Sequence, residues 1–140
     1  MDAAALDALH RSAFGHAGAH GWREADFLAA LEDDAYSVAT NDHGFALARL
    51  VADEAELMLI AVLPTARRSG VASALLSDLE AKLRARGARR LMLEVSGSNE
   101  AAIAFYRARG FEEVGLRPGY YGTGASPGHA ALLFEKALKS

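Results

Sequence analysis

Two arginines, a serine and a glycine in Arg67-Arg68-Ser69-Gly70-Val71-Ala72 stand between a short apolar run and a helical repeat. The run is Leu57-Met58-Leu59-Ile60-Ala61-Val62. The repeat is Val71, Leu75, Leu79 and Leu83, with Ala72 and Leu76 beside it. Such a turn has the makings of an anion site. Peptide N–H groups at a helix start have no intrahelical acceptor and carry the positive end of the helix dipole. Gly70 lets a ligand come close to the backbone, and Arg67 and Arg68 add charge. Basic turns are also commonly just solvated. The segment is not a Walker loop, since no Gly-Lys-Ser/Thr follows, and it does not match Gly-x-Gly-x-x-Gly.

A second chemically loaded position is Glu94, which interrupts Leu91-Met92-Leu93-Glu94-Val95. That run reads as a strand buried on both faces, where an unpaired carboxylate is costly. The plain alternative is a strand-edge glutamate paired with an arginine. Asn99 and Tyr106 lie seven residues apart, two turns along one helix face, so both could line one ligand. Phe105 beside them reads as core packing. The five histidines, His10, His16, His20, His43 and His129, show no metal-ligand spacing and read as loop or surface residues. Trp22 reads as a packing anchor.

The elements that must position these groups follow from periodicity. Helices are expected over about Ala3 to Phe14 and Arg23 to Leu31, with Phe27, Leu28 and Leu31 as the apolar positions of the second. Tyr36 to Thr40 and Phe45 to Val51 form a hairpin about Asn41-Asp42-His43-Gly44. Ala52-Asp53-Glu54-Ala55 is a second turn. The strand before the basic turn ends at Pro64, and the long helix after it runs to about Arg86, with Gly87 as its stop. After the strand at 91–95, Asn99 offers an N-cap to a helix ending near Arg109-Gly110. Phe111 to Leu116 and Ala130 to Leu138 are the last strands. This order implies an α/β (α+β) fold with a mixed sheet and helices on both faces. The 57–95 unit should be a right-handed parallel crossover.

Composition sets the bounds. The 140 residues suit a single domain, 1–140, with a real core. They are 51% hydrophobic and 24% charged, the balance of an ordinary globular protein. There is no apolar run near 18 residues and no signal-peptide pattern, so neither a membrane nor secretion is expected. The absence of cysteine removes disulfides and thiol nucleophiles. A cytoplasmic location fits. A net charge of −3 argues against nucleic acid as a partner.

Taken together these motifs resemble the GNAT superfamily of N-acetyltransferases. Arg67-Arg68-Ser69-Gly70-Val71-Ala72 is similar to its Gln/Arg-x-x-Gly-x-Gly/Ala pyrophosphate signature. Glu94-Val95-Ser96-Gly97-Ser98-Asn99-Glu100-Ala101-Ala102-Ile103-Ala104-Phe105-Tyr106, followed by Gly110-Phe111, resembles its second. The Ile-Ala-Val strand end, Leu-Glu-Val, Asn-x-x-Ala-x-x-x-Tyr and the later Gly-Tyr-Tyr are closest to ribosomal-protein-alanine N-acetyltransferases of the RimI type.

The resemblance implies a splayed sheet, with the family's first edge strand missing from this chain. It implies acetyl-coenzyme A as co-substrate, with no metal. Its diphosphate would lie on Arg67, Arg68, Ser69, Gly70, Val71, Ala72 and Ser73, and its pantetheine arm on Asn99. The backbone of Ile60, Ala61 and Val62 would hold that arm as a pseudo-strand and polarise the thioester carbonyl. Glu94 would be the general base and Tyr106 the acid for the leaving thiolate. A phenol of pKa about 10 suits that step. Tyr120 and Tyr121 would sit at the substrate mouth. The acidic pair usual before the last strand of the RimI type is replaced here by His129 and Ala130.

The implied acceptor is the N-terminal alanine amine of a ribosomal protein, attacked in a ternary complex, by a monomer or weak homodimer. A small-molecule amine or a lysine is the alternative. A coenzyme A-sensing module without turnover is another, although a sensor would need neither Glu94 nor Tyr106.

Overall fold

The computed structural model describes residues 1–15, 21–67, 69–117 and 130–139. Four helices and six strands follow the expected order. Helix α1, Ala3–Phe14, starts where the Asp2 carboxylate accepts from the Ala5 N–H at 2.9 Å, and stops at Gly15, whose φ of 83° ends it. In α2, Glu24–Glu32, the Asp26 carboxylate accepts from the Arg23 N–H at 2.9 Å. Phe27 and Ala30 face inward from α2, whereas Leu28 and Leu31 are exposed, so its apolar stripe is narrower than the sequence suggests.

The strands are β1 (Tyr36–Asn41), β2 (Gly44–Val51), β3 (Glu54–Val62), β4 (Arg90–Ser96), β5 (Glu112–Arg117) and β6 (Ala131–Ala137). They form one sheet in the order β1-β2-β3-β4-β6-β5. Only β3 and β4 are parallel neighbours; every other pair is antiparallel. The second turn is shorter than expected. It consists of Ala52 and Asp53, with Ala52 at φ 56°, and Glu54 and Ala55 already belong to β3.

Two apolar layers cover the sheet. On one face Leu6, Leu9, Phe27 and Ala30 pack on Phe45, Leu47, Leu59 and Ala61. On the other, α3 (Val71–Ala85) and α4 (Glu100–Ala108) bring Leu75, Leu76, Leu79, Leu83 and Tyr106 onto Ala46, Leu57, Leu91, Leu93, Val95 and Phe134. His10 overturns one expectation. It is fully buried in the first layer, its ring against Phe14, Phe27 and Phe45 at 4.9, 5.6 and 6.5 Å. Trp22 is an anchor as expected, packed on Phe27 and Tyr36.

Three features of the sheet prepare the site. First, a bulge leaves Met58 without a partner, since Leu47 pairs Leu59 while Ala48 pairs Leu57. The extra residue reverses the alternation of β3, so Ala55 and Leu57 face α3 before it and Ile60 and Val62 face α3 after it. Second, β3 and β4 pair only at Glu54–Arg90, Ala55–Leu91 and Glu56–Met92 and then part. Arg90 clamps the paired end, reaching Glu54 at 2.5 Å and Glu135 of β6 at 3.3 Å. Third, Gly44 lets β2 lie tight against the open end, because a Cβ there would run into the Ala61 carbonyl oxygen.

The outer edge of β1 is closed by cations from α3 and its C-cap. The Lys82 ammonium donates to the Val38 carbonyl at 2.7 Å, and Arg86 donates to the carbonyls of Tyr36 and Asp34. These are backbone acceptors that a further strand would otherwise use.

Candidate active site

The N-terminus of α3 and the wall of α4 meet over the parted ends of β3 and β4. Between them lies a cleft of about 890 Å³, lined by Phe14, Ile60, Val62, Arg67, Gly70, Val71, Ala72, Ser73, Asn99, Phe105, Tyr106 and Arg109, with small alanines between.

Gly70 is the N-cap of α3 at φ 84°, a conformation a side chain would strain, and the space beside its Cα is open. The first bond of the helix runs from the Ala74 N–H to the Gly70 carbonyl at 3.0 Å. The N–H groups of Val71, Ala72 and Ser73 therefore have no acceptor within their own helix. No side chain caps this end among the described residues, and the first turn of α3 carries no acidic residue. The cleft thus presents free donors at the positive pole of a 15-residue helix.

Arg67 lines the cleft, with two of its donors engaged by the protein. Its Nε donates to the Val62 carbonyl at 3.3 Å and its Nη2 to the Ala13 carbonyl at 2.6 Å. The guanidinium tacks the end of β3 to the end of α1, which leaves less of it for an anion. The Ser69 hydroxyl turns back to the Ala66 carbonyl and does not line the cleft. Ala61 turns its side chain to α1 and α2, while Ile60 and Val62 face the cleft; the expectation for these three residues concerns their backbone. Arg68, Tyr120 and Tyr121 lie outside the described residues, as do His16, His20 and His129.

Asn99 is the N-cap of α4, its Oδ1 accepting from the Ala102 N–H at 3.2 Å. Its amide NH2 is left for a ligand. Tyr106 stands two turns on along the same wall, packed edge-to-face on Phe105 and Phe111. Burial pushes its phenol up to about 12, so the hydroxyl stays protonated at any physiological pH.

Glu94 does not sit in a strand buried on both faces. Buried and half-buried residues alternate along β4. Leu91, Leu93 and Val95 face α3 and α4, which turns Glu94, half-buried, to the opposite face of the sheet. It lies past the last β3–β4 pair, at the open wedge, and opposite Leu133 of β6. The cleft and Glu94 are therefore on two sides of one gap.

Sequence reasoning missed Phe14 and Arg109, and gave Phe105 only half its role. Arg109 follows Tyr106 by three residues, a spacing that shares a helix face and could have flagged it. Phe14 reaches the site across the fold, which no local spacing reveals. Among the described residues no group of His, Asp and Glu has the arrangement of a metal site, and no helix is long and apolar enough to cross a membrane.

Residues 4–111 match the acetyltransferase (GNAT) family. Over 79 residues, 56% of this chain, the sequence is 48% identical to the [ribosomal protein bS18]-alanine N-acetyltransferase of Escherichia coli K12. It is 44% identical over 78 residues to the protein of the same description from Haemophilus influenzae. The chain spans about half the length of these relatives, 53% in each case. The crystal structure of the Escherichia coli ribosomal-protein-S18-alanine N-acetyltransferase superposes with a TM-score of 0.80 at 33% identity, covering 99% of this chain and 88% of that one.

Proposed function

The chain belongs to the acetyltransferase (GNAT) family, and from that premise we propose that it transfers acetyl from acetyl-coenzyme A to a primary amine. One observation carries this reading: the unpaired amides of Val71, Ala72 and Ser73 open into the cleft that Tyr106 also lines. The residues fit such a molecule. A diphosphate suits the helix start, and the apolar wall of Ile60, Val62, Ala102 and Phe105 suits a pantetheine arm. Asn99 has an amide to offer the arm, and the parted edge of β3 has backbone groups to pair with it.

When bound, acetyl-coenzyme A supplies an activated thioester for direct attack by the amine. No cysteine is present to carry the acetyl group. The backbone of Ile60, Ala61 and Val62 would fix a donor for the thioester oxygen. Glu94 would take the proton from the amine, through water, from the face opposite the cleft. An α-amine of pKa about 8 asks less of such a relay than a lysine of about 10.4. Tyr106 would hold its O–H toward the leaving sulfur. With the phenol near 12, complete transfer to a thiolate of pKa about 8.5 is uphill by roughly 5 kcal/mol. Hydrogen bonding to sulfur, with solvent completing the protonation, fits better than full donation.

For the acceptor, the likeness to ribosomal protein bS18-alanine N-acetyltransferases favours the N-terminal alanine of a small-subunit ribosomal protein. The replacement of an acidic pair by His129 and Ala130 keeps a small-molecule amine or a lysine as the second reading. The test incubates the protein with acetyl-coenzyme A and a panel of peptides beginning with alanine, lysine peptides and polyamines. Mass spectrometry should find the acetyl group on the alanine α-amine. Modification of polyamines or lysine peptides alone would move the acceptor to the second reading, and no transfer to any amine would contradict the proposal.

A further inference from the structure

Of the two cations on the wall of α4, one is spoken for. Arg107 pairs with Glu113 at 3.4 Å and covers the Phe134 ring. Arg109, at the C-cap of α4, turns the other way into the cleft. Its guanidinium lies 5.8 Å from the Phe105 ring centroid, and its Nη1 donates to the Ser73 hydroxyl. No carboxylate pairs with it among the described residues. A half-buried guanidinium therefore stands at the first turn of α3, beside the unpaired amides, in a protein of net charge −3.

We infer that Arg109 is a side-chain cation of the diphosphate site, supplied from α4 across the cleft. The inference rests on the acetyl-coenzyme A reading above and assigns the charge within it. Arg67, one of the two cations expected there from the sequence beside Arg68, has committed two donors to the Val62 and Ala13 carbonyls. Arg109 has spent one of five N–H donors, on a hydroxyl, and a hydroxyl is a weaker acceptor than a phosphate oxygen. Phe105 holds the plane of the guanidinium in the cleft. In the free protein the bond to Ser73 ties α4 to α3. On binding, the diphosphate would take the same place between Arg109 and the α3 amides.

Calorimetric titration of wild type, Arg109→Ala and Arg109→Lys with three ligands tests this: coenzyme A, dephospho-coenzyme A and pantetheine. Arg109→Ala should weaken coenzyme A and dephospho-coenzyme A alike, by about 10- to 100-fold, and leave pantetheine unchanged. Arg109→Lys should recover part of the loss, since charge returns without the planar fork. A loss seen with coenzyme A but not dephospho-coenzyme A would move Arg109 to the 3′-phosphate and overturn the inference. An equal loss for pantetheine, or no loss for any ligand, would make Arg109 a tie between helices only. Failure of wild type to bind coenzyme A would instead sink the acetyl-coenzyme A reading itself. Thermal unfolding of each variant checks that the fold is kept.

Discussion

The two ends of the β3–β4 pair are built from neighbouring residues of the same strands and do opposite things. At one end Glu54, Ala55 and Glu56 pair with Arg90, Leu91 and Met92, and the backbone is used up in the ladder. Charge there is neutralised within the protein. Arg90 bridges Glu54 and Glu135, and the buried Glu80 of α3 meets Lys136 at 2.8 Å and Arg84 at 3.4 Å. At the other end the strands part, Met58 bulges, and backbone groups, helix amides and Arg109 are turned toward a cleft. The closed end satisfies its polar groups and fixes the angle of the wedge. The open end leaves its donors turned toward the cleft. Substitutions at the two ends should accordingly separate stability from turnover.

The largest effect is expected at the open end. Glu94→Gln should lower kcat by about 10²- to 10⁴-fold and change the rate–pH profile, with the unfolding midpoint little changed. Wild-type kcat across pH would remove Glu94 as the base. Lys136→Ala, at the closed end, should do the reverse. It leaves a buried carboxylate with Arg84 as its remaining partner and should cost about 3 kcal/mol in urea unfolding. Its kcat at a temperature where it stays folded should match wild type, and a kcat falling as far as that of Glu94→Gln would erase the contrast between the ends.

A smaller effect is confined to alkaline pH. The buried phenol of Tyr106 ionises near 12 in the folded protein, against about 10 when unfolded. The neutral form is thus favoured by folding. Stability from this source is complete below pH 10 and is lost as pH rises from there toward 12. The loss should reach roughly 2–3 kcal/mol in wild type and be absent from Tyr106→Phe. Denaturation curves at pH 9, 10 and 11 would show it as a widening gap. Parallel curves would place the phenol in contact with water.

How much of this was legible in the sequence depends on whether the controlling contact is local. Gly70 before a helical repeat, Asn99 as a cap and Tyr106 two turns beyond it are local, and each stands where its spacing put it. His10 was also within reach. It continues the buried stripe of Leu6, Leu9 and Ala13, four residues after Leu6, and its polarity hid that. The bulge at Met58 was not legible, since Leu57 to Val62 is unbroken apolar sequence and only the register against β2 exposes the extra residue. Nor were the commitments of Arg67 to Ala13 and of Lys82 and Arg86 to the edge of β1, which join residues 44 to 54 positions apart. A guanidinium looks the same in a sequence whether it holds a ligand or a carbonyl. Arg67 holds two carbonyls and Arg109 one hydroxyl, and no spacing in the sequence separates the two cases.

The central claim is that the three unpaired amides of α3 receive the diphosphate, and amide NMR measures it directly. Titration of the ¹⁵N-labelled protein with coenzyme A should move the Val71, Ala72 and Ser73 resonances downfield together, saturating with the calorimetric affinity, while pantetheine leaves them near their starting positions. Coenzyme A binding that shifts amides elsewhere and leaves these three unmoved would contradict the account.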